Sequence, residues 1–79
     1  QSAKDLLITS QLRTALVLNK SIKSANYNLD TYKKKIFIYG IAFTSDERSK
    51  VINEAKQILD VEDVVASIFL VEDLRIQKN

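Results

Sequence analysis

Between Ser2 and Leu18 the apolar residues return at helical spacing. Ile8, Leu12, Ala15 and Leu16, with Asn19, fall on one stripe. No Gly or Pro interrupts the stretch, and Ser2 is placed to cap its start. Leu6 and Val17 project roughly opposite the stripe, near Arg13 and Lys20, while Leu7 and Leu18 lie on a flank. The predicted first helix is therefore apolar beyond its core face. Asn19 to Ala25 is a polar connection. The period then changes to two, with Tyr27, Leu29 and Thr31 alternating with Asn28, Asp30 and Tyr32, which predicts a half-buried strand. Lys33-Lys34-Lys35 follows as a hairpin turn that lacks the Asn-Gly or Asp-Gly of tight turns. The next run, residues 36–43, is apolar on both faces. Ile36, Ile38, Gly40 and Ala42 share one; Phe37, Tyr39, Ile41 and Phe43 share the other. Small residues at 40 and 42 predict the close approach of a helix on their side.

Thr44-x-x-Glu47 is a capping-box pattern, in which the hydroxyl accepts from the backbone at Glu47 and the carboxylate reaches back. Val51, Ile52, Ala55, Ile58 and Leu59 form the apolar stripe of the helix that follows, and Asp60 to Asp63 breaks it. Residues 64–71 make a third strand, with Val64, Ala66, Ile68 and Leu70 on one face and Val65, Phe69 and Val71 on the other. The order αββαβ predicts an α+β fold, with two helices packed on one face of a mixed three-stranded sheet. The crossover makes the second and third strands parallel. Phe37, Tyr39, Ile41, Phe43, Val65, Phe69 and Val71 are left on the uncovered face. Burial of one such side chain contributes about 1.5–3 kcal/mol, and seven exposed together are unusual for a soluble monomer. That face is predicted to pack on a sister domain, a second copy, a missing part of the chain, or the tail.

Seventy-nine residues make one domain, with a core at about 4–71 and a tail at 72–79 that is expected to fray. Domains this small lean on partners or staples. With no cysteine there is no disulfide and no thiolate site; with no histidine the commonest general base and metal ligand are gone. A serine nucleophile would lack its base. One glycine cannot build a phosphate-cradling loop. Asp60, Glu62 and Asp63 lack calcium-loop spacing. No catalytic residue, metal site or cofactor is nominated, and an enzyme is not expected.

The net charge is +2, divided as +5 over residues 1–44 and −3 over residues 45–79. A basic first half suits an anionic partner, although a balance this small steers weakly. Phe37, Tyr39 and Phe69 could stack single-stranded bases. No Lys or Arg is interleaved with them, which disfavours nucleic acid. No segment is long and apolar enough to cross a membrane, and no signal-peptide pattern opens the chain. The start at Gln1-Ser2 rather than Met leads to the expectation of a piece of a longer product.

The ordered set Ile36-x-Ile38-x-Gly40-x-Ala42-x-Thr44-x-x-Glu47, then Val51-x-x-x-Ala55, then Val61-x-x-Val64, resembles the BON domain (bacterial OsmY and nodulation). The opening Asp5-Leu6-Leu7-Ile8-Thr9 with Leu12-Arg13 and Leu16 is similar to BON repeats, most of all the second repeat of two-BON outer-membrane lipoproteins. Three positions depart from the pattern. Asp60 stands where the family has a turn glycine, Lys33-Lys34 where Asn-Gly is common, and Leu7 where the lipoprotein repeat often has an aromatic ring.

The resemblance implies a non-enzymatic module of the bacterial envelope, periplasmic and outer-membrane associated, that attaches to anionic phospholipid surfaces and supports outer-membrane integrity. A sister BON domain or a homo-oligomer would suit the open sheet face. The expected lipid contact is Leu6, Leu7, Arg13, Val17, Leu18, Lys20 and Lys23, with leucines entering the headgroup boundary and bases meeting phosphates. The rival expectation is a protein interface or oligomerisation surface at Phe37, Tyr39, Ile41, Phe43 and Phe69.

Overall fold

The computed structural model describes residues 2–72. Helix α1 (Ala3–Leu18) leads through a short 3-10 turn (Ser24–Asn26) into β1 (Tyr27–Tyr32) and β2 (Lys35–Ala42). Helix α2 (Ser45–Lys56) and β3 (Asp63–Leu70) follow. Among the described residues the strands form one mixed sheet in the order β1-β2-β3. β1 and β2 are antiparallel, from Tyr27↔Gly40 to Tyr32↔Lys35. β2 and β3 are parallel, from Lys35↔Asp63 to Ala42↔Leu70. The expected α+β fold is the one observed.

The core lies between the helices and one sheet face. Ile8, Leu12 and Leu16 of α1 and Val51 and Ala55 of α2 pack with Ile36, Ile38, Ala42 and Ile68. The α1 stripe is thus the predicted one. Three expectations change. Leu59 lies beyond the end of α2 and is 78% exposed, because the helix stops at Lys56 before its turn comes round to the core. Ile22, inside the connection that reads as polar, is buried in the core. Each of the two longer strands begins and ends one residue before its predicted bounds. The expected tail, apart from Glu72, lies outside the described residues.

Gly40 is required by β1, not by a helix. A Cβ there would sit 2.6 Å from Tyr27 Cδ1 and hard against the Asn26 carbonyl oxygen. The Tyr27 ring lies across its cross-strand glycine and is buried, which seals the gap that a missing side chain leaves in a sheet.

Two buried carboxylates hold the corners. Ser2 caps α1 by accepting from the Asp5 N–H at 3.1 Å. The Asp5 carboxylate then accepts from the backbone N–H groups of Lys33 and Lys34, both at 3.0 Å. Those lysines have φ of 52° and 66°. They form the left-handed two-residue turn that Asn-Gly makes with ease, at roughly 1–2 kcal/mol for each residue with a Cβ. Asp5 satisfies the two donors that this turn leaves outward, and so selects it. The bond from Lys34 lowers the Asp5 pKa most, against a smaller upward push from burial.

Glu47 holds the other end. Its N–H donates to Thr44 Oγ1 at 3.1 Å, as the capping box predicts. Its carboxylate reaches one residue further back than the box requires, to the Phe43 N–H at 3.0 Å. The other oxygen accepts from Lys23 N–H and the Tyr27 hydroxyl, both at 2.9 Å. Burial pushes the Glu47 pKa up, but the bonds from Lys23, Phe43 and Tyr27 outweigh it and the net shift is down. Tyr27 is raised, first by burial and then by its bond to Glu47.

Three outcomes are expected. Replacing Lys33-Lys34 with Asn-Gly raises stability by about 1 kcal/mol in urea unfolding. Gly40→Ala lowers it by about 1–3 kcal/mol, because the neighbour is backbone and cannot give way. Asp5 and Glu47 have folded-state pKa values below their unfolded ones, so the stability they confer is complete above the ordinary carboxylate range near 4. It is lost as the pH falls through the lower folded-state values. Unfolding free energy measured from pH 7 down to pH 2 should therefore decline below about pH 4, and more shallowly in Glu47→Gln.

Candidate functional site

The outward face of α1 carries Leu6, Leu7, Ser10, Gln11, Thr14, Val17 and Leu18, all exposed. The four apolar side chains among them are each more than half exposed. None of the seven is charged. A solvated helix face ordinarily carries charge, so a face without it from Leu6 to Leu18, more than three turns, with Lys4 only at its N-terminal end, is suited to meet something less polar than water. The sequence reading identified the apolar members and missed Ser10, Gln11 and Thr14. Polar residues at those positions read as solvent-facing, and the signal was the missing charge.

Charge lies around the face rather than on it. At the N-terminal end Lys4 pairs with Asp60 at 3.0 Å. At the C-terminal end Lys20 and Lys23 are exposed beyond the helix. Lys23 also favours the ionised Glu47 carboxylate. Arg13 is placed differently from the other expected bases. It is half-buried, and its two terminal nitrogens donate to the backbone carbonyls of Ser24, at 2.9 Å, and Tyr27, at 2.8 Å. It ties α1 to the start of β1 and does not stand on the outward face beside the leucines.

Asp60 has a φ of 70°. It therefore keeps the left-handed turn that glycine favours, a conformation Asp tolerates better than most side chains. The Lys4 contact lowers its pKa and draws the loop before β3 towards the first turn of α1.

The second apolar surface is the sheet face away from the helices. Tyr39, Ile41, Phe43, Val65 and Phe69 are exposed there, with Tyr32. Phe37 and Val71, expected with them, are half-buried. Pairing sets Phe37 beside Val65 and Ile41 beside Phe69. Charge on this face gathers at one end, where Asp30, Lys35 and Asp63 lie, so the end around Ile41, Phe43 and Phe69 is the apolar one. Because both helices cover the opposite face, the two apolar surfaces look in opposite directions. The residues expected to contact lipid and those expected to contact protein are thereby separated across the thickness of the molecule.

Among the described residues no group of three or more His, Cys, Asp or Glu is placed to hold a metal ion. No helix is long and apolar enough to cross a membrane. The buried carboxylates are spent on backbone and hydroxyl donors, and no buried side-chain polar atom among the described residues lacks a partner.

Comparison with known proteins agrees with the residue pattern. An uncharacterized protein in the gshII 5′ region of Anaplasma centrale is 31% identical over 68 residues, which cover 86% of this chain and 45% of that protein. The chain thus spans less than half the length of this relative. The BON domain family model matches residues 4–71. That family comprises binding modules not known as enzymes, typically associated with the cell envelope and often linked to membrane or phospholipid binding. The match runs from the first turn of α1 to just past the end of β3, and the chain belongs to the BON domain family.

Proposed function

We propose that this chain is a non-enzymatic attachment module for anionic phospholipid surfaces, acting on the periplasmic side of the outer membrane and supporting its integrity. The observation that carries the reading is the uncharged outward face of α1, with exposed Leu6, Leu7, Val17 and Leu18 and the bases Lys20 and Lys23 just beyond its end. The four apolar side chains enter the headgroup boundary and the two lysines meet lipid phosphates. Arg13 acts from behind, by fixing α1 against β1. Each base near an anionic surface contributes about 1 kcal/mol, and salt screens it. The apolar contribution of the leucines is insensitive to salt.

The exposed aromatic sheet face favours a second reading for a different surface. Tyr39, Ile41, Phe43 and Phe69 would pack against a protein, either a sister BON domain or another copy, while α1 holds the membrane. The two readings are compatible because the surfaces are opposed.

Lipid binding is tested by titrating isotopically labelled protein with vesicles of anionic and of neutral phospholipid, following every backbone amide. Shifts concentrated in α1 and at Lys20 and Lys23, with anionic lipid only, are expected. Replacing Lys20 and Lys23 with Ser should weaken binding by about 2 kcal/mol, on the order of thirtyfold, at low salt. Leu7→Ser with Leu18→Ser should abolish insertion without unfolding, because both side chains are exposed. Shifts confined to the sheet face, or equal binding to neutral lipid, would sink the reading.

A further inference from the structure

Each end of the sheet leaves one strand paired on a single side, and the two edges are treated differently. Register decides which backbone groups point outward. Tyr32↔Lys35 closes a two-residue turn and so exchanges both hydrogen bonds. Tyr27, Leu29 and Thr31 therefore turn their N–H and C=O groups to the free edge of β1. There Arg13 donates to the Tyr27 carbonyl and the Asp30 carboxylate accepts from the Thr31 N–H. Thr9 also bonds Thr31 from α1, hydroxyl to hydroxyl at 2.7 Å. The β1 edge is thus engaged by side chains at both ends.

The β3 edge is not. Ile36, Ile38, Gly40 and Ala42 turn towards β3, and in a parallel ladder they bond the residues flanking their partners. Val64, Ala66, Ile68 and Leu70 are left pointing outward. Among the described residues, only the Val64 N–H of these groups has a partner, the adjacent Asp63 carboxylate at 2.8 Å. Residues 64–70 contain no charge, proline or glycine. Natural edge strands ordinarily carry one of these or a covering element. Ala66 is exposed although it lies on the helix side, so α2 leaves the edge open.

We propose that β3 pairs with β3 of a second copy of this chain, antiparallel about a two-fold axis at Ser67, to give a continuous six-stranded sheet. The strand is complementary to itself in that register. Ala66 faces Ile68 and Val64 faces Leu70 as hydrogen-bonded pairs; the first uses the unpartnered outward groups just described, and the second requires the Val64 N–H to exchange its Asp63 bond for Leu70. Val65 faces Phe69 twice on the open side, the branched–aromatic pairing that stabilises sheets. Within residues 64–70 no charge opposes a charge. A shallow cleft of about 320 Å³ lined by Lys56, Val61, Glu62, Asp63 and Val64 lies beside Val64, leaving room at the end of the paired strands.

An axis perpendicular to the sheet leaves both pairs of helices on the same side. The two α1 outward faces then look the same way and engage one surface together, which raises avidity without a new contact. This consequence rests on the lipid reading; the dimer does not.

The test is sedimentation equilibrium of the 79-residue chain from micromolar to millimolar concentration, without lipid. A dimer is expected. Ser67→Lys sets like charges across the axis and should weaken association about fivefold or more. An equimolar mixture of Ser67→Lys and Ser67→Glu should restore it as a mixed dimer. Ala66→Pro removes an outward donor without touching the β2 ladder and should also weaken association; if that variant fails to fold, the exposed Ser67 pair decides alone. Isotope-filtered NMR should place Val65 of one copy beside Phe69 of the other. A monomer at every concentration overturns the proposal. So does a dimer indifferent to Ser67→Lys and broken by Phe43→Ser, since that dimer stacks through the open face.

Discussion

Glu47 carries three hydrogen bonds that no other residue is placed to make. Its carboxylate receives the Phe43 N–H from the end of β2, the Lys23 N–H from the connection after α1, and the hydroxyl of Tyr27 at the start of β1. Truncation would leave all three donors without a partner. The buried Tyr27 hydroxyl, once orphaned, costs about 1–3 kcal/mol and the two part-buried N–H groups less, against a total stability of about 4–12 kcal/mol for a chain of this length. The group must also stay ionised while buried. That is sustained by two backbone donors, a phenol and the nearby Lys23 charge, which together more than offset desolvation.

Tyr27 extends that anchor into the sheet. Its ring fills the space over Gly40, its hydroxyl meets Glu47, and its carbonyl accepts from Arg13. The position of α1 over the sheet follows from the contacts radiating outward: Arg13 to β1, Thr9 to Thr31, and Asp5 to the hairpin turn. Asn19 adds a bond from the end of α1 to Glu54 of α2 at 3.0 Å. The polar residues on the inner flanks of α1 are therefore engaged with the fold. Its outward face is free of structural duty and free of charge, which is the combination a docking surface needs.

The family reading and the geometry bear on function at different levels. Membership in the BON family places the chain among binding modules that are typically associated with the cell envelope. The arrangement of surfaces adds a direction. Leucines and valine face away from the sheet, aromatic side chains face away from the helices, and β3 lies at the rim between them with no covering element among the described residues. The proposed lipid contact, strand pairing and protein contact thus fall on three different parts of the molecule.

The fold was legible because it rests on short-range periodicity. The stripe Ile8, Leu12, Leu16, the alternation through residues 36–43, and Thr44 ahead of Glu47 each specify local structure whatever surrounds them. The apolar half of the α1 face was legible for the same reason. Asp5 and Glu47 were not recognisable as buried hubs, since a carboxylate in the first turn of a helix reads equally well as a solvated dipole partner. Nor could Arg13 be told from a free base, because its acceptors are backbone carbonyls 11 and 14 residues away. The hairpin is the sharpest case. Lys33-Lys34 argues against a tight left-handed turn, and the turn forms because Asp5, 28 residues earlier, accepts both of its donors. Sequence by itself determined the elements, their order and their apolar faces, because those follow from spacing along one segment. Only the tertiary structure decided which charges are spent inside, which turn the lysines adopt and which sheet edge the other described residues leave uncovered, because each depends on donors and acceptors that meet only when distant segments fold together.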